Sequence, residues 1–222
     1  MSWYIECNQR TVDDTGLLES PFFRALSDGS MTLEQFRASQ EQFYFIIPWF
    51  GPSMGYLLGR LPIAERSMGV LANIHDEHGN GRLDAAHHVI FTDFVTSLQG
   101  ESFTPRAGDD GGPAAHTWVN VVRAVCMFDP LPTAFGFMGS IEYTYGLIAS
   151  AVYDGVVGRG WSSPHGLRHH LLHKEVEEEH AEAFYKEVGA GDQDRIQGEQ
   201  GIQLGVHIFD QLFRSFYTQS PS

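Results

Sequence analysis

The sequence predicts an all-α helical bundle of about seven helices, on three observations. Apolar residues recur at helical spacing with no strand-like alternation, and Gly- and Pro-rich stretches punctuate them. The third is the run from Thr133 to Tyr153, apolar on all sides, whose only charged residue is Glu142. At 222 residues the chain can bury a sizeable core. We read it as one domain over residues 1–222, with its core in about 18–217. Hydrophobic residues at 42% and aromatics at 13% fit a globular chain and not a disordered one.

Each element follows from local signals. After a polar start, Ser20-Pro-Phe-Phe23 followed by Asp28-Gly29-Ser30 reads as a short amphipathic helix closed by a turn. Thr32, with Glu34 and Gln35 in the first turn, opens a helix to about Ile47, which Pro48 breaks or kinks. Residues Trp49–Arg60 carry Gly51, Pro52, Gly55 and Gly59 and predict an irregular or kinked helix. Pro62 opens a helix from about Ile63 to His78, ended by Gly79-Asn80-Gly81. Another follows over about Leu83–Leu98. The stretch Gln99–Ala115, with four glycines and two prolines, is the only good loop or linker candidate. Helices over about His116–Met127, Thr133–Tyr153, Pro164–Val188 and Gln193–Tyr217 complete the chain.

The Thr133–Tyr153 run is long enough to cross a bilayer, for which about 20 apolar residues suffice. Against a membrane span stand Glu142 at its middle, the lack of basic flanks, and Gly136, Gly139 and Gly146, which suit tight packing between helices of a protein core. A carboxylate buried there needs a partner, because an unpaired buried charge is prohibitively expensive.

A net charge of −14, with only 14 Lys plus Arg, would repel nucleic acid and anionic membranes. Cys7 and Cys126 form neither metal nor disulfide spacing, and no signal-peptide pattern opens the sequence. The expected setting is therefore a reducing cytoplasm, with Cys126 a core residue. The eleven histidines crowd into 75–88 and 165–180, which hints at a metal site.

The sharpest motif is His173-x3-Glu177-x2-His180. At roughly 100° per residue these three Cβ atoms fall within an arc of about 60° and point one way. Imidazole and carboxylate together suit a redox-capable first-row metal. The plain alternative is a solvated helix face, since Lys174, Glu175, Glu178, Glu179, Glu182 and Lys186 surround the three. Glu77, His87 and Glu142 offer further ligands on other predicted helices, and a slip of one residue would pass the role of His87 to His88. Three carboxylates and three imidazoles would hold two divalent irons nearly neutral and leave open positions for dioxygen.

At these residues the chain resembles the haem-oxygenase-like diiron oxidases, the iron-containing redox enzymes. The resemblance rests on Asp76-Glu77-His-Gly79-Asn-Gly81 followed by His87, on Glu142 in its apolar helix, and on His173, Glu177 and His180. Ser20-Pro-Phe-Phe23 and the stretch 28–36 are similar to an opening that the family shares with thiaminase II and pyrroloquinoline-quinone synthase. The resemblance implies a haem-oxygenase-like bundle whose iron ligands are Glu77, His87, Glu142, His173, Glu177 and His180. It departs at Glu177, where the family usually has Asp. It also implies two iron ions (Fe2+/Fe3+), with O2 as co-substrate, oxidising a small organic substrate, an amino acid or another carboxylate, by N-oxygenation, desaturation or carbon–carbon cleavage in a biosynthetic pathway. An external electron donor and a homodimer are compatible with it.

Phe135, Met138 and Tyr145 flank Glu142 at helical spacing and are candidates to line the substrate pocket. Tyr44 and Tyr145 are candidates for a catalytic role. A carboxylate substrate calls for an arginine, and Arg82, Arg123 and Arg168 lie near the motif helices, Arg168 being carried as the candidate. Three other readings compete. A ferritin-like centre would use Asp84-x-x-His87 and leave His173 idle. A metal-free thiaminase II-like or quinone-synthase-like enzyme would need a nucleophile or a dense polar pocket. An acidic helical interaction protein or iron carrier would need no catalytic site.

Overall fold

The structure, a computed structural model, describes residues 3–98, 102–105, 111–163 and 165–217, without the side chains of 175 and 176. Ten α-helices are found among the described residues, against the expected seven or so. They are α1 (Trp3–Thr15), α2 (Pro21–Asp28), α3 (Leu33–Tyr44), α4 (Ile47–Leu58), α5 (Ala64–Glu77), α6 (His87–Ser97), α7 (Gly112–Phe128), α8 (Leu131–Arg159), α9 (Arg168–Tyr185) and α10 (Asp192–Phe216). Short 3-10 turns sit at Leu17–Glu19 and Leu83–Ala85.

One helix without any counterpart in the sequence reading is α1, which the sequence presents only as a polar start. It is held from outside the segment: Ile5, Cys7 and Val12 are buried, Asn8 donates to Thr144 Oγ1 at 3.0 Å, and Tyr185 O–H donates to Asn8 Oδ1 at 3.0 Å. Local periodicity carries little of this. Pro48 begins a helix instead of breaking one, because in the first turn of α4 its missing N–H has no intrahelical partner to lose. Thr32 caps α3 as expected, with Gln35 returning the bond in a capping box.

The predicted helix over Leu83–Leu98 is divided at Ala86, which is extended and precedes α6. A Cβ on Gly79 (φ 77°) would lie 2.2 Å from Arg82 O and 2.5 Å from Ala86 N, so the chain folds back on itself where only glycine fits. The expected helix start at Pro164 and much of the expected linker lie outside the described residues.

The apolar run grows into α8, 29 residues long, from Pro132 in its first turn to Gly160 (φ 62°) at its C-terminal end. It is the axis of the molecule, with α9 along one side and α10 along the other. Contact with α10 is backbone-close: a Cβ on Gly136 would sit 2.2 Å from Gly198 O, and one on Gly201 2.2 Å from Thr133 O. Helices α5 and α6 lean on α9, α3 lies on α6, and α4 bridges α5 and α7. Phe22, Phe36, Phe43, Phe91, Phe94, Phe209 and Phe213 fill the space between them. No helix of the described residues is long and apolar enough to cross a membrane.

Candidate metal centre

Four helices deliver one ligand-grade group or more each to a common point. Glu77 is the last residue of α5 and His87 the first of α6, so the glycine turn between them sets their approach. His87 Nδ1 lies 2.8 Å from Glu77 Oε1, and the His87 and His173 ring centroids are 4.6 Å apart. His173 Nδ1 contacts Glu177 Oε1 one turn further along α9. Ligand atoms of Glu142, Glu177 and His180 lie within 4.8 Å of one another. All six residues named from the sequence thus form one continuous cluster. His88, the alternative to His87, is exposed. Asp84, which the ferritin-like reading needs, is 69% exposed and paired with Arg82 at 2.8 Å, away from the cluster.

The approach of α9 to α8 is set by Gly146. A Cβ there would lie 2.9 Å from Glu177 Cβ, 3.2 Å from its Cγ and 3.5 Å from His173 O. The missing side chain is what lets the ligand-bearing face of α9 reach Glu142.

The electrostatics of this cluster suit a cation. Glu142 Oε1, Glu177 Oε2 and His173 Nε2 are buried with no hydrogen-bond partner. Orphaned polar atoms are costly in a protein interior, and here they converge. Burial, then the neighbouring Glu177, pushes the Glu142 carboxyl well above the ordinary carboxylate range. Burial pushes Glu177 up to about 8, with Glu77 and Asp76 adding to it. Burial acts the same way on Glu77, but His87, His173 and His180 outweigh it and hold that carboxyl below its ordinary value. Burial and His87 hold the His173 imidazole neutral. Three carboxylates this close cannot all ionise without a positive charge among them. The residues present therefore fit divalent metal ions: hard and borderline donors, deprotonation favoured by the cation, and atoms no protein group satisfies.

Beside the ligands lies a cavity of about 40 Å³. On the scale of roughly 10–15 Å³ per water it holds a few waters or a dioxygen molecule. Its walls are Phe43, Ile46, Ile47, Phe50, Trp118, Ile141 and Phe209, with Glu77, His87, Glu142, Tyr145, His169 and His173 closing one side.

Tyr145 is the one pocket candidate from the sequence that lines this cavity, and its hydroxyl lies 2.8 Å from His169 Nε2. Tyr44 turns instead to Phe45 and Phe103, leaving its neighbour Phe43 at the cavity. Phe135 and Met138 are fully buried elsewhere, Phe135 under Arg66 and Met138 against Cys126, because they lie two turns and one turn before Glu142 along α8 and meet other neighbours there. Arg168 is half exposed and pairs with Asp93 at 3.8 Å, Arg82 pairs with Asp84, and Arg123 lies over the Trp49 ring at 3.9 Å. None of the three lines the cavity. Sequence reasoning missed His169 and His170, both buried and held neutral, His170 pushed down to about 3 by burial and then by His173. The signal for His169 was present: it precedes His173 by one turn on the same face of α9.

Comparison with known proteins agrees with this geometry. The sequence pattern of a family described as iron-containing redox enzyme matches residues 37–212. A 4-aminobenzoate synthase of Chlamydia pneumoniae is 23% identical over 207 residues, covering 91% of each chain. A second, from Chlamydia muridarum, is 24% identical over 83% of this chain and 78% of its own. Among solved structures, a CADD-like protein of unknown function from Nostoc punctiforme superposes with a TM-score of 0.76 at 13% identity, over 95% of this chain and 94% of its own. A protein with a haem-oxygenase-like fold from Shewanella denitrificans gives 0.74 at 16% identity, over 94% and 89%. A TenA homolog from Pseudomonas syringae gives 0.67 at 14% identity, over 94% and 91%. The fold is therefore haem-oxygenase-like.

Proposed function

The chain belongs to the family of iron-containing redox enzymes, and on that premise we propose that it is a non-haem diiron oxidase or oxygenase, with Glu77, His87, Glu142, His173, Glu177 and His180 as its iron ligands. The observation that carries the proposal is the convergence of these six side chains from four helices on a buried point, with ligand atoms of Glu142, Glu177 and His173 unsatisfied by any protein group. The ions would supply the electrons and the binding position for dioxygen. Everything else is the work of the chain's own residues. Glu77 with His87 stands at one end of the cluster, Glu142 with Glu177 and His180 at the other, and His173 between them, an arrangement suited to two ions.

Phe43, Ile46, Ile47, Phe50, Trp118, Ile141 and Phe209 exclude water from the reacting side. Tyr145 keeps its proton, because burial raises its phenol well above the ordinary value, and its bond to His169 fixes it at the cavity wall. Among the described residues no Lys or Arg lines the cavity. That favours a small, largely apolar substrate over one held by its carboxylate. The names of the Chlamydia relatives support an aromatic one. Cys126, the nucleophile weighed for a metal-free mechanism, is buried against Met138 and outside the cavity lining.

The test is metal content with turnover. Iron-loaded protein should hold close to two irons per chain and consume dioxygen in a substrate-dependent reaction, and Glu142→Ala should lose most of the iron. A single bound zinc, with activity indifferent to iron, would refute the proposal.

A further inference from the structure

The turn that delivers Glu77 carries two polar residues for which the six-ligand set has no use. Asp76, the residue before Glu77, places Oδ2 at 3.4 Å from His180 Nε2. The other ring nitrogen of His180 faces the cluster, with Nδ1 4.0 Å from Glu177 Oε2. Asp76 is held in turn: Asn80 donates its side-chain amide to Asp76 Oδ1, and Gly79 N–H donates to Asp76 O at 2.7 Å. Asn80 is the only non-glycine residue with positive φ among the described residues, at 55°. Asn is among the residues that tolerate the left-handed region, and from there its short amide reaches back to α5.

We infer that Asp76 is a positioning residue that fixes the ring orientation and tautomer of His180 for metal binding, with Asn80 holding Asp76 in place. The inference rests on the diiron reading above, which it deepens. A histidine offers a metal one lone pair, and the proton must sit on the other nitrogen. A carboxylate at Nε2 favours the Nε2–H form and leaves Nδ1 free on the side of Glu142 and Glu177. The 3.4 Å separation is a few tenths of an ångström longer than a formed hydrogen bond. A small ring rotation closes it, as polar contacts at such sites tighten on loading. His180 needs this help more than its companions. Its side chain is 16% exposed, against 2% for His87 and 5% for His173, so packing restrains it least.

Two measurements on the full chain test this. In anaerobic ferrous titrations against a chromophoric competing chelator, Asp76→Asn should weaken one of the two irons by about 10–100-fold and leave the other unchanged. Asn80→Gly, which keeps the left-handed backbone, should weaken the same iron by less. In a His180→Ala background, Asp76→Asn should have no further effect, because its action passes through that ring. Full affinity in Asp76→Asn, or an equal added loss without His180, would overturn the inference, the latter making Asp76 a ligand in its own right.

The second measurement needs no metal. Imidazole 15N shifts of metal-free protein, with His180 identified by its loss in His180→Ala, should show the Nε2–H tautomer, and Asp76→Asn should mix the two forms. An unchanged tautomer would refute Asp76's role even if the wild-type protein bound no iron. Failure to bind iron would instead overturn the diiron reading by itself.

Discussion

Gly146→Ala separates fold stability from site geometry. The new Cβ would meet Glu177 Cβ at 2.9 Å, where ordinary contact begins at 3.4 Å, so about 0.5 Å of movement is required. The backbone carbonyl of His173 at 3.5 Å limits relief in that direction, and the carboxylate side chain yields first. Overpacking of this kind costs about 1–3 kcal/mol. Replacing glycine by alanine within a helix returns about 1 kcal/mol. The net loss of about 0–2 kcal/mol corresponds to a drop in Tm of no more than about 8 °C for a chain of this size. A functional constellation tolerates only about 0.5 Å of displacement, so the larger effect should fall on metal binding, by about 10–100-fold at the iron held by Glu177. Gly158→Ala on the same helix, where a Cβ meets nothing within 4 Å, is the control and should raise Tm by about 2–4 °C with no change in iron affinity. Denaturation of metal-free protein and anaerobic iron titration measure the two quantities. Wild-type iron affinity in Gly146→Ala would refute the argument that the α8–α9 spacing places Glu177.

Three further outcomes are expected. Metal-free protein should lose stability as pH rises from 6.5 to 8.5, because Glu177 holds its proton more tightly folded (about 8) than unfolded (4.5), so its contribution is full below about pH 4.5 and lost through pH 8. His170 acts oppositely, its contribution being present above pH 6.5 and lost as pH falls towards 3; above 6.5 Glu142 and His87, both also raised, act in the same direction as Glu177, so a melting temperature that is flat or rising there contradicts the assignment. Tyr145→Phe leaves buried His169 without its hydroxyl partner and should cost about 1–3 kcal/mol in urea denaturation, whereas an unchanged midpoint would show the bond to be replaceable. Arg168→Ala should change stability by no more than about 0.5 kcal/mol and leave substrate KM unaltered; a large rise in KM would return Arg168 to the substrate site.

The sequence by itself determined the helical class, the central placement of the Glu142 helix, and the six polar residues to be found near it. Each had a local cause: 3.6-residue periodicity, a lone acid in an apolar run, two imidazoles and a carboxylate on one helix face. Which of His87 and His88 points into the cluster was decided by tertiary structure, because the break at Ala86 sets α6 so that the first histidine is buried and the second exposed. The same holds for the cavity. Sequence distance along α8 put Phe135, Met138 and Tyr145 on a par, but only Tyr145 faces the space left between α8, α9 and the α3–α4 corner. Helix α1 was hidden because its support comes from Thr144 and Tyr185, over a hundred positions away. Asp76 stood in plain view within the motif, yet its relation to His180 depends on how the end of α5 meets α9. Periodicity reports which face of a helix is buried, and only packing decides what that face meets.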